Sequence, residues 1–102
     1  MDRELKQKWI AALRSGKYKQ ARERLSNGEG FCCLGVLLDV SARGKWNDEA
    51  YELDEGERLV EDLGMSCTRF GVRLGDEQVL VRMNDEERAS FAEIADYIEA
   101  NL

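Results

Sequence analysis

The segment that most constrains the fold is Phe31–Val40, an almost continuous apolar run near the middle of the chain. Nine of its ten residues are apolar or Gly, and Asp39 is its single charged residue, in a chain that is 35% charged. A span across a bilayer needs about 20 residues, so this segment is too short to cross a membrane. We therefore expect it to be buried in protein, with the charged segments on either side packed over it.

The periodicity of this run suits either a buried strand or a buried helix. We favour a helix over 31–42, which Gly44 would end, because its strongest apolar positions share one helical face: Cys33, Leu34, Leu37 and Leu38. Within a helix Gly35 would cost about 1 kcal/mol relative to Ala. A close approach by another part of the backbone would explain its presence.

Amphipathic helices are predicted at both ends of the chain. Residues 3–15 carry apolar side chains at helical spacing, with Asp2 as the N-cap and Gly16 as the stop. Near the other end, Ser90 and Glu93 have the spacing of a capping box. The apolar stripe of this last helix consists of Phe91, Ile94, Ala95, Ile98 and Leu102.

The other elements have weaker patterns. Residues 18–25 fit a helical stripe or an irregular strand, and we favour the strand because the turn signal Asn27-Gly28 follows. Residues 45–56 are acidic and rich in turn formers, which predicts a solvated loop before a short helix over 57–63. Residues 69–83 alternate as a β-hairpin does, with a turn at Gly75-Asp76.

Together these elements predict an α+β fold in one domain spanning residues 1–102. Its centre is the buried helix, packed with the N- and C-terminal amphipathic helices and with a short antiparallel β-hairpin.

No secretory segment or membrane span is visible in the sequence. The odd cysteine count, with Cys32 beside Cys33, does not form a disulfide framework and favours a reducing, cytoplasmic location.

Composition argues against catalysis and against metal binding. The chain has no histidine, the commonest general acid or base, and no Cys-x-x-Cys pair. Asp48, Glu49, Glu52, Asp54 and Glu55 lack the glycine and the ligand spacing of a calcium loop. We therefore predict no catalytic residue, no metal site and no cofactor, and a protein that is more simply explained as a non-enzyme.

Charge is divided unevenly along the chain, which has a net charge of −6. Residues 1–25 carry eight basic and three acidic side chains, a net +5, and the remaining residues carry seven basic and eighteen acidic, a net −11. One face could therefore attract anions while the molecule as a whole repels nucleic acid, which makes direct DNA binding an unfavourable interpretation. The alternative is that these charges only coat two solvated surfaces.

The best candidate for a ligand site is Leu13–Gln20, where donors concentrate at the end of the first helix. Arginine suits phosphate oxygens, tyrosine can stack on a base and glutamine can read a base edge. The predicted ligand contacts are Arg14, Ser15, Lys17, Tyr18 and Gln20. Structural roles remain open as alternatives, since Arg14 would stabilise a helix C-terminus, Ser15 would cap it and Tyr18 would join the core.

Three stretches of the sequence resemble one known family. They are Trp9–Gln20, which contains Leu-Arg-Ser-Gly, Gly30–Leu37, which contains Cys-Cys-Leu-Gly-Val, and the end of the chain, in Met83-Asn-Asp and Ser90–Ile98. In these stretches the chain is similar to small uncharacterised proteins of tailed phages and prophages. The likeness covers most of the chain and implies a phage accessory protein in the cytoplasm of a bacterial host.

That setting implies a protein that counters host defence without catalysis. One hypothesis is a ligand sponge, commonly a homo-oligomer, that encloses a cyclic dinucleotide or a cyclic ADP-ribose type of immune signal. The other is an acidic interaction module that binds a host protein, for example on its nucleic-acid-binding surface. The first uses the basic residues between positions 14 and 24, and the second uses the acidic remainder of the chain.

Overall fold

The computed structural model describes residues 1–47, 50–53, 59–60 and 70–102. The helices in these ranges are α1 (Arg3–Arg14), α2 (Cys33–Ser41), α3 (Leu74–Asp85) and α4 (Phe91–Asn101). The strands are β1 (Gly44–Asn47), β2 (Ala50–Leu53) and β3 (Leu59–Val60), which form an antiparallel sheet in the order β1-β2-β3. The predicted α+β class is confirmed.

Helix α2 is the centre of the core, as the apolar run predicted. All of its residues from Cys33 to Leu38 are buried, and the helix contacts α1, α3 and β1. The fully buried Trp9 of α1 donates its indole N–H to the carbonyl oxygen of Cys33 at 2.9 Å, which fixes the two helices against each other. The helix ends at Ser41, and Ala42 after it has a left-handed backbone conformation, as is common just beyond a helix. The predicted stop at Gly44 is wrong, because Gly44 is the first residue of β1.

Gly35 lies where the backbone of another segment comes close to α2. A Cβ atom at this position would collide with the carbonyl oxygen of Leu25. That carbonyl also accepts a hydrogen bond from the N–H of Cys32 at 3.2 Å, which holds it against the first turn of α2. The close approach expected at Gly35 is therefore confirmed.

The terminal helices begin where the capping residues predicted. The Asp2 carboxylate accepts a hydrogen bond from the N–H of Leu5 at 2.9 Å at the start of α1. At the start of α4, the Ser90 hydroxyl accepts from the N–H of Glu93, and the Glu93 carboxylate accepts from the N–H of Ser90. The two helices pack on each other and bury apolar faces made of Leu5, Trp9, Ile10 and Leu13 in α1 and Phe91, Ile94, Ala95 and Ile98 in α4.

The β-hairpin predicted over 69–83 is wrong, because residues from Leu74 onward form helix α3. Its buried positions are Glu77, Leu80 and Asn84, at helical spacing. Two of these three are polar, so a search for apolar residues at helical spacing does not detect the stripe. Phe70 and Val72 are buried in the stretch that leads into the helix.

The sheet lies in the region predicted to be a loop, so the loop assigned to 45–56 is wrong in its described part. Trp46 of β1 is opposite Tyr51 of β2, and their ring centroids are 5.0 Å apart. Of the helix predicted over 57–63, Leu59–Val60 is strand β3, and the other residues lie outside the described ranges. The acidic composition concealed two four-residue strands.

Residues 18–25 fold back towards α2 as expected, but no regular strand forms there. Gln20 and Ser26 make isolated bridges to Phe31, one parallel and one antiparallel. The reversal of direction depends on Asn27, whose side-chain oxygen accepts hydrogen bonds from the N–H groups of Glu29 and Gly30.

Candidate functional site

The segment between α1 and α2, residues 15–30, is the candidate site, and we call it the basic loop. Its side chains include four exposed cations, Lys17, Lys19, Arg22 and Arg24, and two exposed acids, Glu23 and Glu29. The basic loop therefore has a net charge of +2 in a chain of net charge −6. Such a local excess of positive charge attracts anions to this surface.

The first part of the basic loop alternates between exposed and half-buried side chains. Lys17 and Lys19 are exposed, whereas Tyr18 and Gln20 are half-buried. In extended backbone successive side chains point to opposite sides, so the two lysines share the outer side of this stretch. Lys19 is also 3.6 Å from the carboxylate of Glu29, and both of these side chains are more than two-thirds exposed, so the pair is weak.

Tyr18 attaches the basic loop to α2 and β1. Its hydroxyl donates a hydrogen bond to the carboxylate of Asp39, which also accepts from the indole N–H of Trp46 at 3.0 Å. The Tyr18 ring packs edge-on against the Phe31 ring, with centroids 5.4 Å apart. The ring centroids of Phe31 and Trp46 are 5.2 Å apart. Burial, and secondly the bond to Asp39, raise the pKa of Tyr18 to about 12.

Gln20 attaches the basic loop to the end of α3 and to the segment that joins α3 and α4. Its side-chain nitrogen donates to the side-chain oxygen of Asn84 and to the carbonyl oxygen of Ala89, each at 2.9 Å. Both hydrogens of that nitrogen are therefore used. Asn84 is buried, so this contact lies on the inner side of the loop.

Arg14 and Ser15 lie at the end of α1, next to α4. The Arg14 guanidinium binds the carboxylate of Asp96 at 2.7 Å and that of Glu99 at 3.1 Å. Hydrogen bonding to Glu99 and then to Asp96 raises the pKa of Arg14. The Ser15 hydroxyl donates to the carbonyl oxygen of Ala12 at 2.6 Å and accepts from the N–H of Lys17.

The structure therefore gives the predicted ligand residues different surroundings instead of one shared pocket. Arg14, Tyr18 and Gln20 each bind a different part of the protein, and Ser15 is the C-cap of α1. These are structural roles of the kind that the sequence also allowed. Of the five predicted residues, Lys17 differs, because its side chain is exposed and is not bound to another part of the described structure.

Three exposed cations of the basic loop were not among the five predicted contacts, although the sponge hypothesis drew on the basic residues between positions 14 and 24: Lys19, Arg22 and Arg24. The signal that could have found them is the excess of positive charge between positions 17 and 24, where four basic residues accompany one acidic residue. Tyr18 was predicted to contact the ligand because a tyrosine ring can stack on a base, but its side chain faces inward and binds Asp39.

The paired cysteines lie in the core. Burial raises the pKa of the Cys32 thiol to about 12, so the reactive thiolate is disfavoured. Its sulfur instead accepts a hydrogen bond from the N–H of Gly35 at 3.4 Å at the start of α2.

Within the described ranges no cluster of His, Cys, Asp and Glu side chains is arranged to hold a metal ion. In the same ranges no helix has the length and apolar character needed to span a membrane.

The fold and the loop define a small α+β protein with a buried central helix and a cationic connection leading into it. A family model described as Domain of unknown function (DUF8296) matches residues 1–69, which contain α1, the basic loop, α2 and the strands. Because the match covers more than half of the chain, this protein belongs to that family. No curated protein and no solved structure matches the chain.

Proposed function

We propose that this protein is a non-enzymatic accessory protein of tailed-phage type that binds an anionic nucleotide signal in the cytoplasm of a bacterial host. By sequestering a cyclic dinucleotide or a cyclic ADP-ribose type of ligand, it would keep that signal from a host defence effector. The observation that carries the proposal is the basic loop, which presents four exposed cations from an otherwise acidic protein.

The backbone of the basic loop supports this role because it is held in place before any ligand arrives. The N–H of Ala21 donates to the carbonyl oxygen of Phe31 at 2.8 Å, and the N–H of Phe31 donates to that of Lys19 at 2.8 Å. Binding groups on an ordered backbone lose less conformational entropy on association than groups on a flexible one. The exposed cations therefore project from an ordered backbone.

The proposed ligand contacts are led by Lys17, Lys19 and Arg22. Ammonium and guanidinium groups form charge-assisted hydrogen bonds with phosphate oxygens, and the arginine can do so with two parallel bonds. Tyr18 is half-buried, and stacking of a base on its side chain is part of the proposal. Contacts by Arg14 or Gln20 would require the ligand to replace their bonds to Asp96, Glu99, Asn84 and Ala89. Enclosure of a small ligand between copies of the chain, in a homo-oligomer, is part of the proposal.

Titration calorimetry with cyclic di-AMP, cyclic di-GMP and cyclic ADP-ribose tests the proposal. We expect binding of at least one of these ligands, and an affinity that falls as salt is added. Lys17→Ala should weaken that binding about tenfold or more, the scale of one charge-assisted hydrogen bond. Lys8→Ala is the matched control, because Lys8 is an exposed lysine of α1 and its loss changes the net charge equally.

Two outcomes would count against the proposal. Absence of heat with all three nucleotides would reject it. An equal loss of affinity in Lys17→Ala and Lys8→Ala would attribute the binding to net charge instead of the basic loop.

A second candidate function is an acidic interaction module for a host protein. It is favoured by the outer side of α4, where Glu93, Asp96 and Glu99 are exposed at helical spacing. Arg14 pairs with Asp96 and Glu99, so three carboxylates share one cation and the face keeps a negative charge. Residues 48–57, to which the sequence pointed for this role, lie mostly outside the described ranges. Stoichiometric capture of one host protein, together with no nucleotide binding, would favour this alternative.

A further inference from the structure

Asn84, at the end of α3, has a side-chain amide in which every hydrogen-bonding position is used. Its oxygen accepts from the side chain of Gln20 at 2.9 Å and from the N–H of Cys33 at 3.3 Å. Its nitrogen donates to the carbonyl oxygen of Ala21 at 2.9 Å and to the carboxylate of Asp85 at 2.8 Å. The side chain thus joins α3, the start of α2 and the middle of the basic loop, and it is buried.

Asp85 extends this contact further along the basic loop. The same carboxylate oxygen that accepts from Asn84 also accepts from the backbone N–H of Glu23 at 2.8 Å. Glu23 has a φ of 67°, in the left-handed region that residues other than glycine seldom adopt. The hydrogen bond therefore holds an unfavourable backbone conformation, and it does so between the two exposed arginines Arg22 and Arg24.

We propose that Asn84 and Asp85 act as positioning residues that set the shape of the basic loop for its anionic ligand. The inference rests on the proposed function, and it adds residues of α3 that do not touch the ligand themselves. Together they bind the backbone or side chain of Gln20, Ala21 and Glu23. This stretch connects Lys19 to Arg22 and Arg24, so its conformation determines how the cations are placed relative to one another.

Because Asp85 is charged, the proposal predicts the direction as well as the size of the change in anion affinity when this residue is replaced. A carboxylate beside an anion-binding surface lowers the affinity for anions by repulsion. If charge were its main effect, removing Asp85 would strengthen anion binding. If its hydrogen bond to Glu23 shapes the loop, removing it would weaken anion binding although a negative charge has been lost.

The experiment compares Asp85→Ala with Asp85→Asn in the full chain, using inorganic tripolyphosphate as the probe anion. Asn keeps an oxygen that can accept from Glu23, and Ala does not. We expect Asp85→Ala to bind tripolyphosphate about fivefold to tenfold more weakly than the unmodified chain, and Asp85→Asn to bind it at least as tightly. Amide hydrogen exchange at Glu23 should become faster in the Ala variant alone.

Asp76→Ala is the matched control, because it removes a carboxylate from the same helix. The Asp76 carboxylate accepts the hydroxyl hydrogen of Tyr97 at 3.0 Å, a contact outside the basic loop. Tight binding by the unmodified chain and by Asp85→Ala alike would overturn the positioning role and leave the proposed function standing. Equal weakening by Asp76→Ala would overturn it too, since general destabilisation would then explain the effect. No binding of tripolyphosphate by the unmodified chain would overturn the positioning role, and the titrations with the three nucleotides decide the proposed function separately.

Discussion

Tyr18 shows how one side chain can prevent a loop from moving away from the core. Its ring packs against Phe31, and its hydroxyl donates to Asp39, which also holds the indole of Trp46. The donated hydrogen is needed for this contact, so ionisation of the phenol would break it and would place two negative charges side by side. The raised pKa, about 12, reflects first the burial of the ring and then this hydrogen bond.

Stability should therefore decrease at high pH in a way that depends on Tyr18. A tyrosine in the unfolded chain loses its proton near pH 10. The folded protein keeps that proton to about pH 12, so between these values the unfolded state gains charge and becomes relatively more stable. We expect the contribution of Tyr18 to be complete below pH 10 and to disappear as the pH approaches 12.

Urea unfolding of the unmodified chain and of Tyr18→Phe, at pH 7 and at about pH 11, measures this effect. Phe keeps the ring contact and removes the titrating group. The shift of the urea midpoint between the two pH values should be smaller in Tyr18→Phe, although Tyr97 and Cys32, whose pKa values are also raised, will preserve part of it. Identical shifts in both proteins would show that Tyr18 ionises in the folded state as it does in the unfolded one.

At the scale of secondary structure, prediction from sequence succeeded where apolar spacing and capping residues agreed. The helix α4 has both signals, in Ser90 and Glu93 and in its apolar stripe, and it was predicted correctly. Helix α3 has neither, because Arg73 at its N-cap makes no side-chain cap and its inner face contains Glu77 and Asn84. A polar residue that is buried among specific partners looks like a surface residue until those partners are known.

The candidate site was predictable to a similar degree. The sequence pointed to residues 14–20, which comprise the last residue of α1 and the start of the basic loop, but it did not show which side chains face inward. Tyr18 and Gln20 turn towards Asp39 and Asn84, and both partners are distant in sequence. Contacts across 21 and 64 residues depend on the tertiary fold, which no local pattern records.

The packing of α2 against the basic loop gives a prediction about two glycines. In Gly35→Ala the added methyl group would meet the carbonyl oxygen of Leu25, and neither backbone can yield without losing hydrogen bonds. We expect a loss of about 1–3 kcal/mol in the free energy of unfolding, the usual cost of overpacking. Gly75→Ala, within α3, is the control, because nothing lies within 4 Å of its added methyl group.

Since alanine is the better helix former, Gly75→Ala should be neutral or should stabilise the protein by up to about 1 kcal/mol. Thermal and urea unfolding of the two variants would measure the contrast. A Gly35→Ala variant as stable as the unmodified chain would mean that the approach between α2 and Leu25 is looser than described.

At the scale of the whole molecule, the core does not stop at the segment that defines the family. Residues 1–69 match the family model, yet the core also contains Leu80 of α3 and Ile94 and Ile98 of α4, all fully buried. The basic loop is likewise bound from α3 through Asn84 and Asp85. The C-terminal third therefore completes both the core and the support of the candidate site.

A fragment containing residues 1–69 alone should fail to fold. Removing α3 and α4 would expose the inner face of α1, including Trp9 and Leu13, and would leave Gln20 without its partners. The expected result is the absence of a cooperative thermal transition and of a near-ultraviolet circular dichroism signal, both of which the full chain should show. A cooperative transition in the fragment would establish the family segment as an independent folding unit.

The two tryptophans give the molecule separate optical reporters. Trp9 is completely buried with its indole N–H bound to a backbone carbonyl, so its fluorescence follows the integrity of the core. Trp46 is half-buried and shares Asp39 with Tyr18, so its emission senses the attachment of the basic loop. In Trp46→Phe the tryptophan fluorescence would come from Trp9 alone and would report global unfolding. The difference between the emission spectra of the unmodified chain and of this variant would report the attachment of the basic loop, without any dye or label.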